Sequence, residues 1–164
     1  MATRDPLSAA RPERLVALLA ARGETIATAE SLTAGLLSAT IAGVPGASAV
    51  LRGGLIVYAT ELKHVLAGVD ADLLSARGPV DPQVAAAMAA GAAARCGASW
   101  GIGLTGVAGP DPQDGHSVGT VYLGLAGPRG SAARLLELSG DRWQIRSAAC
   151  AAAISGLCDW VNSS

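Results

Sequence analysis

The 164-residue sequence has no phenylalanine, only two tyrosines and three tryptophans, and a single lysine, Lys63, among its basic residues. With aromatics at 3% and hydrophobic residues at 51%, its core must be assembled from small and aliphatic side chains. Long apolar runs are also missing. No window offers about eighteen uninterrupted apolar residues, which argues against a membrane-spanning helix. The N-terminal "MATRDPLSAARPERL" lacks the apolar stretch of a signal peptide and points to the cytoplasm. Neither sign of charge dominates, because 12 Lys and Arg face 13 Asp and Glu for a formal net charge of −1. The arginines are scattered, so no nucleic-acid partner is expected. Cys96, Cys150 and Cys158 are odd in number and lack C-x-x-C spacing, and His64 and His116 lie near none of them. No disulfide framework, metal site or cofactor is expected.

What is present reads as α/β. "RPERLVALLAAR" spaces Leu15, Leu18 and Leu19 as one helix face and stops at Gly23. "ETIATAES" reads as a short buried strand and "LTAGLLSATIAG" as a helix that ends before Pro45. "ASAVLRGGLIVYA" reads as a strand with a bulge or close approach at Gly53 and Gly54, and "TELKHVLAG" as a short helix with Thr60 as its candidate cap. Asp81 and Pro82 open an Ala-rich helix. "SWGIGLTG", "VGTVYLGLAG" and "SAARLLELSG" read as strands, the last two paired across "GPRG", and "DRWQIRSAACAAAISGLCDWV" as a closing helix. Without a linker or a repeat, residues 1–164 are expected to form one domain with a core of about 11–160.

Several residues invite a chemical reading beside a plainer one. Ser31, ahead of "LTAG", reads first as a helix cap. It reads second as part of an anion site with Thr33 and a glycine, where a loop presents free N–H groups at a helix start. Ser48 in "PGAS" is either a turn serine or a nucleophile, and its candidate base is Lys63. A lysine acts as a base near neutrality only if its pKa falls by roughly three units from about 10.4, which an apolar setting can supply. Val57, Leu62, Val65, Leu66 and Val69 provide that setting, and Tyr58 is either a relay or a packed aromatic. Thr105 closes a strand at the edge where ligands of open α/β sheets collect. Arg142 and Arg146 share a helix face and either clamp a phosphate or stand in solvent.

Taken together and in order, "TAESLTAG", "GVPGASAVLRGGLIVYATELKHVLAGV", "GLTGVAGP", "VGTVYLGLAG" and "GDRWQIR" resemble the CinA C-terminal domain family. That family includes stand-alone nicotinamide mononucleotide amidohydrolases, and the likeness spans roughly Arg11 to Trp160. The resemblance implies a three-layer α/β/α domain with a mixed, mostly parallel sheet. It also implies metal-independent deamidation of nicotinamide mononucleotide to nicotinate mononucleotide and ammonia, in pyridine-nucleotide salvage. Carried over by motif, Ser48 is the implied nucleophile and Lys63 its base, with Tyr58, Ser31 and Thr105 as further catalytic positions. Glu30, Thr33, Gly35, Gly106, Gly109, Arg142 and Arg146 are the implied substrate contacts. The alternative assignment makes Ser31 the nucleophile. A different class of reading is a non-catalytic nucleotide-binding or interaction module of the same family. A small nucleotide substrate and a homo-oligomer are the expected partners. Ala34, where the family carries glycine, and Pro79 and Asp81, in a turn that differs from the family's, are the departures that bear on substrate choice.

Overall fold

The computed structural model describes residues 6–164. The start of the segment read as lacking a signal peptide, residues 1–5, lies outside them. The elements are α1 (Pro12–Arg22), β1 (Ile26–Glu30), α2 (Leu36–Ala42), β2 (Leu51–Ile56), α3 (Thr60–Val65), α4 (Ala71–Arg77), α5 (Pro82–Cys96), β3 (Trp100–Gly106), β4 (Thr120–Gly127), β5 (Gly130–Glu137) and α6 (Arg142–Asn162). Short 3₁₀ turns occupy Pro6–Ala9 and Ala47–Ala49.

Local chemistry accounts for most boundaries. Gly23 closes α1 at φ 64°, a left-handed position that a side chain would strain. The Asp81 carboxylate accepts from the N–H groups of Gln83 and Val84 ahead of Pro82, so α5 opens as expected. Asp141 and Gln144 cap each other at the start of α6 in a reciprocal box. Two expectations need correcting. Thr60 is the first residue of α3 and Ala59 stands at its cap, with no side-chain bond. The helix α4 was not anticipated, although Asp70 caps it through the N–H groups of Asp72 and Leu73.

The five strands form one mixed sheet in the order β2-β1-β3-β4-β5. β1 pairs in parallel with β2 and with β3, while β4 runs antiparallel to both β3 and β5. Alternation sends side chains to two layers. Ile26, Trp100, Ile102, Leu104, Val121 and Leu123 join the cluster formed with α1, α2 and α6. Ala27 and Ala29 join the cluster with α3, α4 and α5. The second layer is thin because the sheet meets α5 through glycine. A Cβ at Gly101 would overlap the carbonyl oxygen of Ala89, and one at Gly103 or Gly124 would overlap that of Ala85. An Ala-rich helix on a glycine floor thus brings backbone against backbone, which is how a chain without phenylalanine stays dense. The three cysteines are free, and burial pushes the thiols of Cys150 and Cys158 up from their ordinary range.

The register aligns the C-terminal ends of three parallel strands, with Glu30 opposite both Ile56 and Leu104. The segments that leave those ends, 31–35, 57–59 and 107–119, therefore meet along one edge.

Adding a methyl group at Gly124 is expected to lower stability by about 1–3 kcal/mol, because α5 must lift off the sheet. A urea titration of Gly124→Ala checks this as a fall in the transition midpoint with an unchanged slope.

Candidate functional site

At the end of β1 the chain turns sharply, and the turn is organised by a buried carboxylate. Glu30 is 1% exposed. The N–H groups of Gly35, Leu37 and Ser38 donate to it at 3.2, 2.9 and 3.0 Å. The Ser38 hydroxyl also donates to it at 2.8 Å and the Thr28 hydroxyl at 3.0 Å. Those two hydroxyls are 2.6 Å apart, and Gly54 on β2 lies beneath them where a Cβ would collide with both oxygens. The close approach expected at the Gly53-Gly54 pair is thus the space this network needs.

The network overturns the expectation that Glu30 and Gly35 contact substrate. The free N–H groups at the start of α2 are the feature that suggested a phosphate site, and the protein's own carboxylate takes them. Thr33 is likewise buried, with no partner for its hydroxyl among the described residues, and does not line the cleft described below. Ala34 is exposed and holds φ 47° in the left-handed region.

Ser31 follows Glu30, and its N–H continues the ladder to the Leu104 carbonyl at 2.9 Å. Its hydroxyl meets Lys63, which reaches back from α3 and is 1% exposed. Lys63 Nζ donates to Ser31 Oγ at 2.9 Å and to the Val57 carbonyl at 2.8 Å, with the Tyr58 carbonyl at 3.5 Å. No carboxylate neutralises it at ion-pair distance among the described residues. Burial penalises the ammonium and lowers the lysine pKa to about 8, while the more distant Glu61 charge opposes that fall. The neutral amine has two hydrogens and one lone pair. The two backbone carbonyls can take the hydrogens, which leaves the lone pair facing the Ser31 hydroxyl.

The expected partnership of Lys63 with Ser48 is therefore not the one the fold makes. Ser48 is exposed on the 3₁₀ turn before β2, whereas Lys63 follows the far end of that strand. A six-residue strand separates those ends by roughly 20 Å at the usual rise per residue. In a parallel arrangement, loops that precede strands and loops that follow them lie on opposite edges.

A cleft of about 110 Å³ opens over the Ser31–Lys63 pair. Its walls come from the three aligned strand ends, the Pro79-Val80 turn and the first residue of α6. Thr105 is there as expected, but its hydroxyl donates to the Pro79 carbonyl at 2.6 Å and is not free for an oxyanion. Gly106 and Gly109 also line the cleft. The two arginines divide. Arg142 faces the cleft, with Nη1 donating to the Gly109 carbonyl at 2.6 Å and Nη2 to the Tyr58 hydroxyl at 2.9 Å. Arg146 instead donates to the carbonyls of Leu32 and Thr33 at 2.8 and 3.1 Å and pins the turn after Ser31. Of the two, only Arg142 is presented to a ligand.

The sequence reading missed Asp111 and Gln113, two polar side chains on the cleft wall. They lie on the loop between β3 and β4, where no periodicity or cap singles out an acidic or amide side chain. Among the described residues, no group of three His, Cys, Asp or Glu side chains is placed to hold a metal ion. No helix there is long and apolar enough to cross a membrane.

Replacing Glu30 by glutamine turns an amide NH₂ toward at least one backbone N–H, whichever carboxylate oxygen it replaces. Leaving a buried donor unpaired costs about 1–3 kcal/mol per group, so Glu30→Gln is expected to destabilise the fold by about that much or more. A chemical melt reads the loss.

The profile of the CinA C-terminal domain matches residues 9–161. A CinA-like protein from Frankia casuarinae is 51% identical over 85% of this chain, and one from an Anaeromyxobacter species is 48% identical over 89%. The matched regions are 32% and 36% of those proteins, so the chain spans about a third of the length of the curated relatives. Among solved structures, the competence/damage inducible protein CihA from Agrobacterium tumefaciens is 30% identical with a TM-score of 0.88, over 99% of this chain and 98% of that one. A CinA superfamily protein from Klebsiella pneumoniae is 25% identical with a TM-score of 0.91, over 98% of this chain and 100% of that one. The chain belongs to the CinA C-terminal domain family.

Proposed function

We propose that the cleft is the active site of a serine/lysine amidohydrolase that converts nicotinamide mononucleotide to nicotinate mononucleotide and ammonia, with Ser31 as nucleophile and Lys63 as its base. The observation that carries the reading is the 2.9 Å contact between Lys63 Nζ and Ser31 Oγ, buried and with no carboxylate at ion-pair distance from the lysine among the described residues. An ion-paired lysine would stay protonated. A desolvated one is released to act as a base near neutrality.

In this mechanism neutral Lys63 takes the hydroxyl proton as Ser31 Oγ attacks the carboxamide carbon. The Ser31 N–H is tied to the sheet and Val107 donates to Thr120, so neither is free for the oxyanion. The N–H groups of Leu32 and Ala108, which line the cleft and have no partner among the described residues, would hold it. Lys63 then gives its proton to the leaving ammonia, and water, activated by the same amine, resolves the acyl-enzyme.

At about 110 Å³ the cleft is smaller than the cavity of about 150 Å³ that encloses a benzene molecule, so it takes the carboxamide end of a ring while the rest of the substrate crosses the mouth. Arg142 stands there with donors to spare for a phosphate.

Ammonia release from nicotinamide mononucleotide tests the assignment. Ser31→Ala is expected to lose at least about a thousandfold in kcat, and Ser48→Ala to stay within about twofold of the unaltered protein. The opposite pattern would return the nucleophile to Ser48, and no release by the folded, unaltered protein would sink the amidase. The same assay across pH reads the base. With only the neutral amine active, kcat/KM is expected to rise tenfold per pH unit below about 8 and to level off above it. Lys63→Arg, which cannot give up its proton, is expected to abolish turnover while the fold persists.

A further inference from the structure

The cleft holds more charge than the proposed chemistry uses. Three charged side chains line it, Lys63, Asp111 and Arg142. Lys63 is uncharged when it acts as a base, which leaves one cation and one anion. Among the described residues the ion pairs are Arg22–Glu24 and Arg77–Asp81, so Asp111 and Arg142 do not neutralise each other. Arg142 is steadied by two uncharged groups, the Gly109 carbonyl and the Tyr58 hydroxyl. Asp111 has no hydrogen-bonding or ionic partner among the described residues. Both charges are thus available to a ligand.

The loop that carries Asp111 is fixed on either side. Two residues before it, the Gly109 carbonyl is gripped by Arg142 at 2.6 Å. Two residues after it, Gln113 and His116 exchange backbone hydrogen bonds at 3.1 and 2.8 Å. The exposed carboxylate therefore stands on a braced stretch of the cleft wall, and one charge of each sign matches a ligand that also carries one of each.

Resting on the amidase reading, we propose that Asp111 is a specificity-determining residue that selects a carboxamide borne on a cationic ring, while Arg142 meets the anionic tail. The substrate class is then a zwitterionic N-substituted pyridinium nucleotide, and neutral aromatic amides of the same shape bind less well. A carboxylate beside a ring of formal positive charge gains Coulomb energy that an uncharged ring does not return. Like-charge contact also disfavours ligands that carry only negative charge near the ring.

The test is binding, measured by calorimetry in the Ser31→Ala background so that substrate is not consumed. Two probes are compared, nicotinamide mononucleotide and its uncharged isostere 3-ribosylbenzamide 5′-phosphate, which has carbon in place of the ring nitrogen. Adding Asp111→Asn is expected to weaken the pyridinium nucleotide at least fivefold and the isostere less than twofold, with the difference shrinking as salt is raised. Equal weakening of both probes, no weakening of either, or no measurable binding of the pyridinium nucleotide overturns the proposal. Ammonia release by the unaltered protein separates the two readings. Release without the Asp111 effect leaves the amidase standing, whereas binding with the Asp111 effect but no release leaves a selective binding site and ends the amidase.

Discussion

The Glu30 carboxylate is the constraint from which the rest of the site follows. A charge buried this deeply is tolerated only if donors satisfy it, and here three backbone N–H groups and two hydroxyls converge on it without a cation. Meeting that demand fixes the turn out of β1, seats the start of α2 over β2, and requires glycine at position 54. Ser31 is the next residue in the chain, so its hydroxyl is aimed by the same bonds. Arg146 completes the turn from α6 by taking up the carbonyls of Leu32 and Thr33.

Lys63 carries the opposite charge into the same edge under different terms. It is as buried as Glu30 but has only hydroxyl and carbonyl oxygens for partners. The carboxylate is well supplied with donors, whereas the ammonium is held by dipoles alone, so desolvation prevails and its pKa falls. One buried charge is structural and the other is able to give up its proton. That contrast sets two buried charges apart at one edge of the sheet, while Asp111 and Arg142 line the cleft beside them.

Much of the architecture was legible because it is written locally. Short apolar runs marked β1 and β3, the Asp81-Pro82 start marked α5, and the antiparallel β4–β5 hairpin was readable from the "GPRG" turn. The same local signals existed for α4, in Asp70 and Gly78, and were passed over. The expected pairing of Ser48 with Lys63 was not legible for a different reason. Ser48 lies nearer to Lys63 in the chain, but β2 intervenes and carries them to opposite ends of the sheet. The rule that ligands gather at the C-terminal edge of parallel strands had been applied to Thr105, and it applies equally to Ser31, which follows β1.

The sequence by itself determined the elements, the α/β class and the family, because caps, periodicity and ordered motifs act over a few residues. The tertiary structure decided which groups meet. Ser31 and Lys63 are 32 residues apart, Tyr58 and Arg142 are 84 apart, and Leu32 and Arg146 are 114 apart. Those contacts, and the burial that lowers the Lys63 pKa, depend on strand order and on the glycine floor that lets α5 settle onto the sheet, and desolvation does not exist until that packing is complete.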